Sequence, residues 1–301
     1  MGNLLSVCDI KDDVYEILDF AKRFKNSQID EYPLKGKSLA MIFQKSSTRT
    51  RVSFEVAMYE LGGQSLFLSS NDLQMGRGEP ISDTAKVLSR YVHGIMIRAL
   101  HHRDVEELAI EAEVPVISGL TDLEHPCQAL ADMLTIKEHK GDFNRKLSYL
   151  GDGNNVCNSL ILISALLAMD IYVGCPKGYE PDLKIVEEAK KIALKNGSKV
   201  EITSDANLAV KDADIIYTDV WVSMGDEAEK EKRMKDLAPY QVNQSLMDLA
   251  KDDAIFMHCL PAIRGEEVSS EVIDGKNSVI IDQAENRLHA QKAVLYFFLK
   301  D

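Results

Sequence analysis

Apolar residues recur along the chain in two rhythms. Over residues 10–27, Val14, Ile17, Leu18, Ala21 and Phe24 fall three or four apart, which predicts an amphipathic opening helix. Beyond it, short continuous apolar runs alternate with longer amphipathic stretches. The runs are SLAMIF (38–43), QSLFL (64–68), GIMIR (94–98) and PVIS (115–118), then KLSYL (146–150), IYVG (171–174), KVEIT (199–203), DIIYT (214–218), AIFMH (254–258) and SVIID (278–282). Such runs predict strands buried on both faces, and their alternation with helices predicts parallel sheets. The expected fold class is α/β, with two doubly wound parallel-sheet domains. The first spans 1–139 and closes with a helix near 125–139; the second spans 140–283; a last helix over 284–299 is expected to return residues 284–301 to the first.

Length and charge narrow the function. A chain of 301 residues buries enough surface to need no disulfide or metal staple. Lys plus Arg number 35 against 48 Asp plus Glu, so a net charge of −13 argues against nonspecific binding to nucleic acid or anionic membrane. No apolar run approaches the ~18 residues that would span a bilayer. The five cysteines include no CxxC pair or Cys/His metal spacing, and the N-terminus turns acidic before a signal-peptide core forms, which predicts reduced thiols in a cytoplasmic protein.

Ligands of open α/β sheets bind beyond the carboxyl ends of strands, where this sequence concentrates its polar residues. After the first strand, Ser47, Thr48, Arg49, Thr50 and Arg51 lead into a helix carrying Phe54, Ala57, Met58 and Leu61 on one side. Hydroxyls, open backbone N–H groups and a guanidinium at a helix N-terminus suit a phosphate. Arg51 is also spaced for an ordinary i,i+4 pair with Glu55. Arg98 ends an apolar strand, where a cation needs an anion or a carboxylate. His125-Pro126-Cys127-Gln128 opens a helix whose positive end favours a neutral imidazole, or a simple histidine cap. Gly151-Asp152-Gly153-Asn154-Asn155-Val156 lacks the third glycine and the later acidic residue of a dinucleotide site, leaving a tight turn that presents Asn155. Asp219 stands four residues before Ser223 and five before Met224, a spacing for gripping an amino acid or for a solvated loop. In His258-Cys259-Leu260-Pro261 the two reactive side chains are neighbours on a strand and are expected on opposite faces, which counts against a Cys/His nucleophile pair.

Taken together, Ser47-Thr48-Arg49-Thr50-Arg51, His125-Pro126-Cys127-Gln128 and His258-Cys259-Leu260-Pro261 resemble the signatures of the carbamoyltransferases, in that family's order and over nearly the whole chain. Asp219…Ser223-Met224-Gly225 and the HCLP form resemble the ornithine-using members. The resemblance implies transfer of a carbamoyl group from carbamoyl phosphate to the δ-amine of L-ornithine, an arginine-biosynthesis type of step, with no metal and no organic cofactor. It implies an active site in the cleft between the domains. It places the phosphate on Ser47, Thr48, Arg49 and Thr50, and the carbamoyl end on Arg98, His125 and Gln128, with Pro126 and Cys127 in the same segment. Asn155, Asp219, Ser223 and Met224 would hold ornithine, and Cys259, Leu260 and Arg287 would close around the reacting groups. The proton leaving the amine falls to Asp219, Cys259 and the departing phosphate together. Gln74 would be donated to a neighbouring subunit, which implies a homotrimer or a multiple of trimers.

Overall fold

The structure is a computed structural model that describes residues 2–29, 32–69, 73, 78–222 and 227–300. Gln74, Ser223 and Met224 lie outside the described residues. Chain contacts divide the molecule into two compact units, Met1–Leu134 with Glu285–Asp301, and Thr135–Ala284.

In the first unit, helix α1 (Val14–Lys25) buries Val14, Ile17, Leu18, Ala21 and Phe24, the five positions whose spacing predicted it. Strands β1 (Ser38–Phe43), β2 (Gln64–Ser69), β3 (Gly94–Arg98) and β4 (Val116–Leu120) form a parallel sheet in the order β2-β1-β3-β4. Helices α2 (Thr48–Glu60), α3 (Ile81–Ser89), α4 (His102–Glu111) and α5 (Pro126–Lys140) follow β1 to β4 in turn. The core packs Ala40, Ile42, Ile95 and Ile97 of the central strands against Val105 and Leu108 of α4. Chain direction across the sheet reverses between β1 and β3, whose ends are level, with Phe43 opposite Arg98. The turn carrying Ser47 and the side chain of Arg98 therefore share one sheet edge, the position where open α/β sheets bind ligands.

The second unit repeats the design. Strands β5 (Lys146–Leu150), β6 (Asp170–Gly174), β7 (Val200–Thr203), β8 (Ile215–Thr218) and β9 (Ile255–His258) form a parallel sheet in the order β7-β6-β5-β8-β9. The helices are α6 (Asn155–Leu166), α7 (Leu183–Asn196), α8 (Ala206–Val210), α9 (Lys230–Leu237), α10 (Gln244–Met247) and α11 (Ser270–Ile273). Helix α6 is buried from Val156 to Ala165, matching its nearly unbroken apolar sequence. The reversal falls between β5 and β8, with Leu150 opposite Thr218, so the turn after β5 and Asp219 after β8 come to one edge.

One predicted strand is overturned. SVIID (278–282) makes a single bridge, Ser278 to Phe256, and the chain then enters helix α12 (Ile280–Leu299), which begins four residues before the predicted start. Ile280, Gln283, Arg287 and Ala290 are buried while Ile281 is exposed, a spacing of three or four that belongs to a helix. Among the described residues no helix is long and apolar enough to cross a membrane.

Candidate active site

In the first unit the site starts from the N-terminus of α2. Ser47 is the N-cap, its Oγ accepting from the Thr50 backbone N–H at 3.2 Å, so its own hydroxyl proton stays available to donate. Thr48 and Arg49 are exposed in the first turn and Thr50 is buried beneath them. Arg51 takes the structural part foreseen for it, pairing with Glu55 at 3.0 Å and lying over the Phe67 ring.

Arg98 is placed by a bulge. The β3–β4 register shifts between Ile97 and Arg98, passing from Ser118 to Leu120 and skipping Gly119. A Cβ at Gly119 would lie 2.7 Å from Met96 Sδ and 3.3 Å from the Ile97 carbonyl oxygen, so a larger residue there would make the Met96 side chain shift. Bulges at sheet ends re-aim side chains, here a guanidinium at the strand's last position.

His125 caps α5, its carbonyl accepting from the Gln128 N–H at 3.0 Å. The approach is shaped by Thr121, whose Oγ1 accepts from the backbone of Leu123 and Glu124. The imidazole is buried, and its pKa is held well below the ordinary histidine value, first by burial and then by the guanidiniums of Arg287, Arg98 and Arg49. The neutral form was expected from the helix end; the larger causes are desolvation and the three cations. Cys127 faces the core, its Sγ donating to the Ser118 carbonyl at 3.5 Å, and burial pushes its thiol up to about 12. Only its backbone is left for a ligand. Arg287 of α12 reaches Gln128 Oε1 at 2.6 Å and Thr50 Oγ1 at 3.3 Å, tying three segments far apart in sequence.

In the second unit the turn after β5 has physical reasons for both glycines. Gly151 sits at φ +125°, and a Cβ at Gly153 would lie 2.2 Å from Pro181 N. Asp152 beneath the turn pairs with Arg233 at 2.8 Å. Asn155 opens α6, half-buried, but the residue that meets Asp219 is its neighbour Asn154, which the sequence reading missed. Asn154 Oδ1 caps α6 through Val156 and Cys157, and its Nδ2 donates to Asp219 Oδ2 at 2.8 Å. The other carboxylate oxygen accepts from Cys259 Sγ at 3.0 Å.

The expected opposition of His258 and Cys259 does not hold. β9 ends at His258, and Leu260, at φ +59°, turns the chain, so strand alternation does not apply. Ligand atoms of Asp219, His258 and Cys259 lie within 4.8 Å of one another. The imidazole is nonetheless engaged elsewhere. Its Nδ1 accepts from Leu260 N at 2.9 Å, which leaves the proton on Nε2 to be donated to Glu267 Oε1 at 3.1 Å. Both side chains are fully buried, and Glu267 Oε1 also accepts from Ile263 N. The Cys259 thiol thus donates to a carboxylate instead of an imidazole, and both His258 nitrogens are engaged before any metal could use them. Glu267 was not foreseen; it lies in RGEEV, a stretch indistinguishable by composition from a surface loop.

Replacing Glu267 by Leu removes the acceptor of a buried imidazole and of a backbone N–H, and is expected to destabilise the fold by about 2–5 kcal/mol. Glu267→Gln keeps one acceptor oxygen and should cost less. Urea unfolding midpoints of the two variants check this, and equal losses would sink the assignment.

Each of the two doubly wound units gathers polar groups beyond the ends of its strands, in one a helix N-terminus, a buried imidazole and three guanidiniums, in the other a buried carboxylate beside a thiol, an arrangement of the kind found in two-substrate enzymes. Residues 3–138 match the family model described as the carbamoyl-P binding domain of aspartate/ornithine carbamoyltransferase, and residues 144–298 match its Asp/Orn binding domain. The chain belongs to the aspartate/ornithine carbamoyltransferase family. It is 69% identical to an ornithine carbamoyltransferase of Methanobrevibacter smithii and 62% identical to that of Methanothermobacter thermautotrophicus, with 100% of each chain covered in both cases. Among solved structures, the ornithine carbamoyltransferase of Pyrococcus furiosus superposes with a TM-score of 0.96 at 56% identity, over 99% of this chain and 97% of that one. The anabolic enzyme of Campylobacter jejuni gives 0.94 at 43% identity, over 99% of both chains.

Proposed function

We propose that the chain transfers the carbamoyl group of carbamoyl phosphate to the δ-amine of L-ornithine, giving L-citrulline and phosphate. The observation that carries the reading is the buried neutral imidazole of His125 among Arg49, Arg98 and Arg287. That is a set of donors suited to a carbonyl oxygen that gains negative charge next to a phosphate. The acceptor is taken from the relatives named above as ornithine carbamoyltransferases.

In this reading the phosphate docks on Ser47, Thr48, Arg49 and Thr50 at the α2 N-terminus. The carbamoyl oxygen meets Arg98, His125 and the Thr50 hydroxyl, and Gln128 meets the carbamoyl amide. Asn155 and Asp219 hold the amino acid together with Ser223 and Met224, with Cys259 and Leu260 beside them in the second unit, and Arg287 joins the carbamoyl phosphate ligands of the first. An alkylammonium of pKa ~10.4 is nearly all protonated at neutral pH, so the site must accept a proton before the amine attacks. The carboxylate of Asp219, already receiving the Cys259 S–H, is suited to share that proton with the leaving phosphate. The reaction joins the ligands of the two units, so turnover requires both half-sites.

The assembly is proposed as a homotrimer or a multiple of it, with Gln74 shared between subunits. In support, β2 is an edge strand whose Leu66 is exposed, and Val52 and Tyr59 of α2 are exposed as well, apolar positions that a second copy could cover. The enzyme is proposed to act in the cytoplasm in arginine biosynthesis, without metal or cofactor. Incubating the purified chain with carbamoyl phosphate and, separately, ornithine, N-acetylornithine, putrescine or aspartate should give a ureido product from ornithine alone. No citrulline from ornithine would sink the reading, and sedimentation as a monomer would sink the assembly.

A further inference from the structure

The side-chain amide of Gln128 is specified from both ends. Its Oε1 accepts from Arg287 Nη1 at 2.6 Å, and its Nε2 donates to Asp132 Oδ1 at 2.8 Å. Asp132 lies one turn further along α5, and both residues are buried, at 1% and 0% exposure. A guanidinium only donates and a carboxylate only accepts, so a flipped amide would set donor against donor and acceptor against acceptor, out of reach of water. The oxygen of Gln128 is therefore the atom held beside Arg287, and a carbonyl oxygen has a second lone pair.

We propose that Asp132, which has no place in the substrate contacts described above, is a positioning residue that sets the acyl-group selectivity of the enzyme. By holding Gln128 Nε2, it fixes an acceptor, Oε1, toward the acyl group, so the site requires an N–H there. Carbamoyl phosphate supplies one. Acetyl phosphate has nearly the same shape but carries a methyl group, and would strip water from that oxygen without giving a donor in return. The inference rests on the proposed function, since it takes Gln128 to face the carbamoyl end.

The test measures the KM of carbamoyl phosphate and the competitive Ki of acetyl phosphate and of inorganic phosphate. It does so in the wild-type protein, in Asp132→Asn and in the exchange variant Gln128→Glu/Asp132→Asn. The wild type should prefer carbamoyl phosphate over acetyl phosphate by at least about tenfold. Asp132→Asn replaces the acceptor-only carboxylate by an amide that can also present a donor, so Gln128 Nε2 is held less firmly although Arg287 still favours one orientation. Part of the preference for carbamoyl phosphate should be lost through a raised carbamoyl phosphate KM, with the phosphate Ki unchanged. In the exchange variant the substituted carboxylate at 128 accepts from the substituted amide at 132 and still offers an oxygen, so preference should return. A purely structural role for Asp132 would weaken all three ligands alike. That pattern, or an unchanged preference in Asp132→Asn, overturns the inference. So does a wild type without preference, whether or not either variant folds. A wild type that makes no citrulline instead overturns the functional reading.

Discussion

His125→Ala is expected to lower kcat by about 10²–10³-fold while the protein stays folded, because it removes a preorganised donor aimed at the oxygen where charge develops. The donor's contribution grows in the transition state, so kcat should fall more than the KM of carbamoyl phosphate rises. His125→Asn keeps an N–H donor and should recover part of the loss. The imidazole is neutral over the working range, so the ratio of wild-type to variant rates should be the same at about pH 6 and about pH 8. The depressed pKa also has a stability consequence. In the unfolded chain His125 takes up a proton as pH falls through ~6.5, whereas in the fold it resists protonation until well below that. Its contribution is therefore fully present above ~6.5 and is lost progressively as pH falls from there toward the folded value. Urea midpoints should drop more for the wild type than for His125→Asn between about pH 7 and about pH 5. Near-normal turnover in a folded His125→Ala protein would remove His125 from the mechanism.

Most of the architecture was legible because each buried strand is a short apolar run and each site segment follows a strand end. Ser47 to Thr50, Asn155, Asp219 and Cys259 stand just past such runs, and Arg98 is the last residue of one. What failed has identifiable causes. SVIID is five residues long, too short for periodicity to separate a strand from the first turn of a buried helix, and the decisive spacing lies in the residues after it. Asn154 and Asn155 are adjacent and chemically identical, and only the geometry assigns the α6 cap and the Asp219 bond to the first of them. The bulge at Gly119 depends on a register between two strands, which no single strand carries. Glu267 could be recognised only through its partner His258, nine residues earlier, once the turn at Leu260 is known.

The same geometry explains how a protein of net charge −13 accommodates a small dianion. Arg49, Arg98 and Arg287 come from three distant segments, yet each depresses the pKa of one imidazole. Their field is local, and the burial of Arg98 and Arg287 protects their share of it from the screening that an exposed charge such as Arg49 undergoes.

Asp219→Asn should be the most damaging change in the second unit. The carboxylate accepts from Asn154 Nδ2 with one oxygen and from Cys259 Sγ with the other. An amide in its place offers one acceptor and one donor, so in either rotamer a donor of the protein faces a donor. The variant also loses the negative charge proposed to meet the cationic amino acid. Removing one partner of a buried charge pair typically costs about 2–5 kcal/mol, which translates to a fall of about 30- to 5,000-fold in kcat/KM for ornithine. Inorganic phosphate, whose proposed ligands all lie in the first unit, should inhibit as before. Cys259→Ser preserves a donor to Asp219 and should be milder. The pH profile separates binding from proton transfer. If Asp219 takes the amine's proton, Asp219→Asn should regain activity more steeply than the wild type as pH rises toward the amine's own pKa of ~10.4, since hydroxide then supplies the free amine. Parallel profiles would instead leave Asp219 a binding role alone and assign the proton to the departing phosphate.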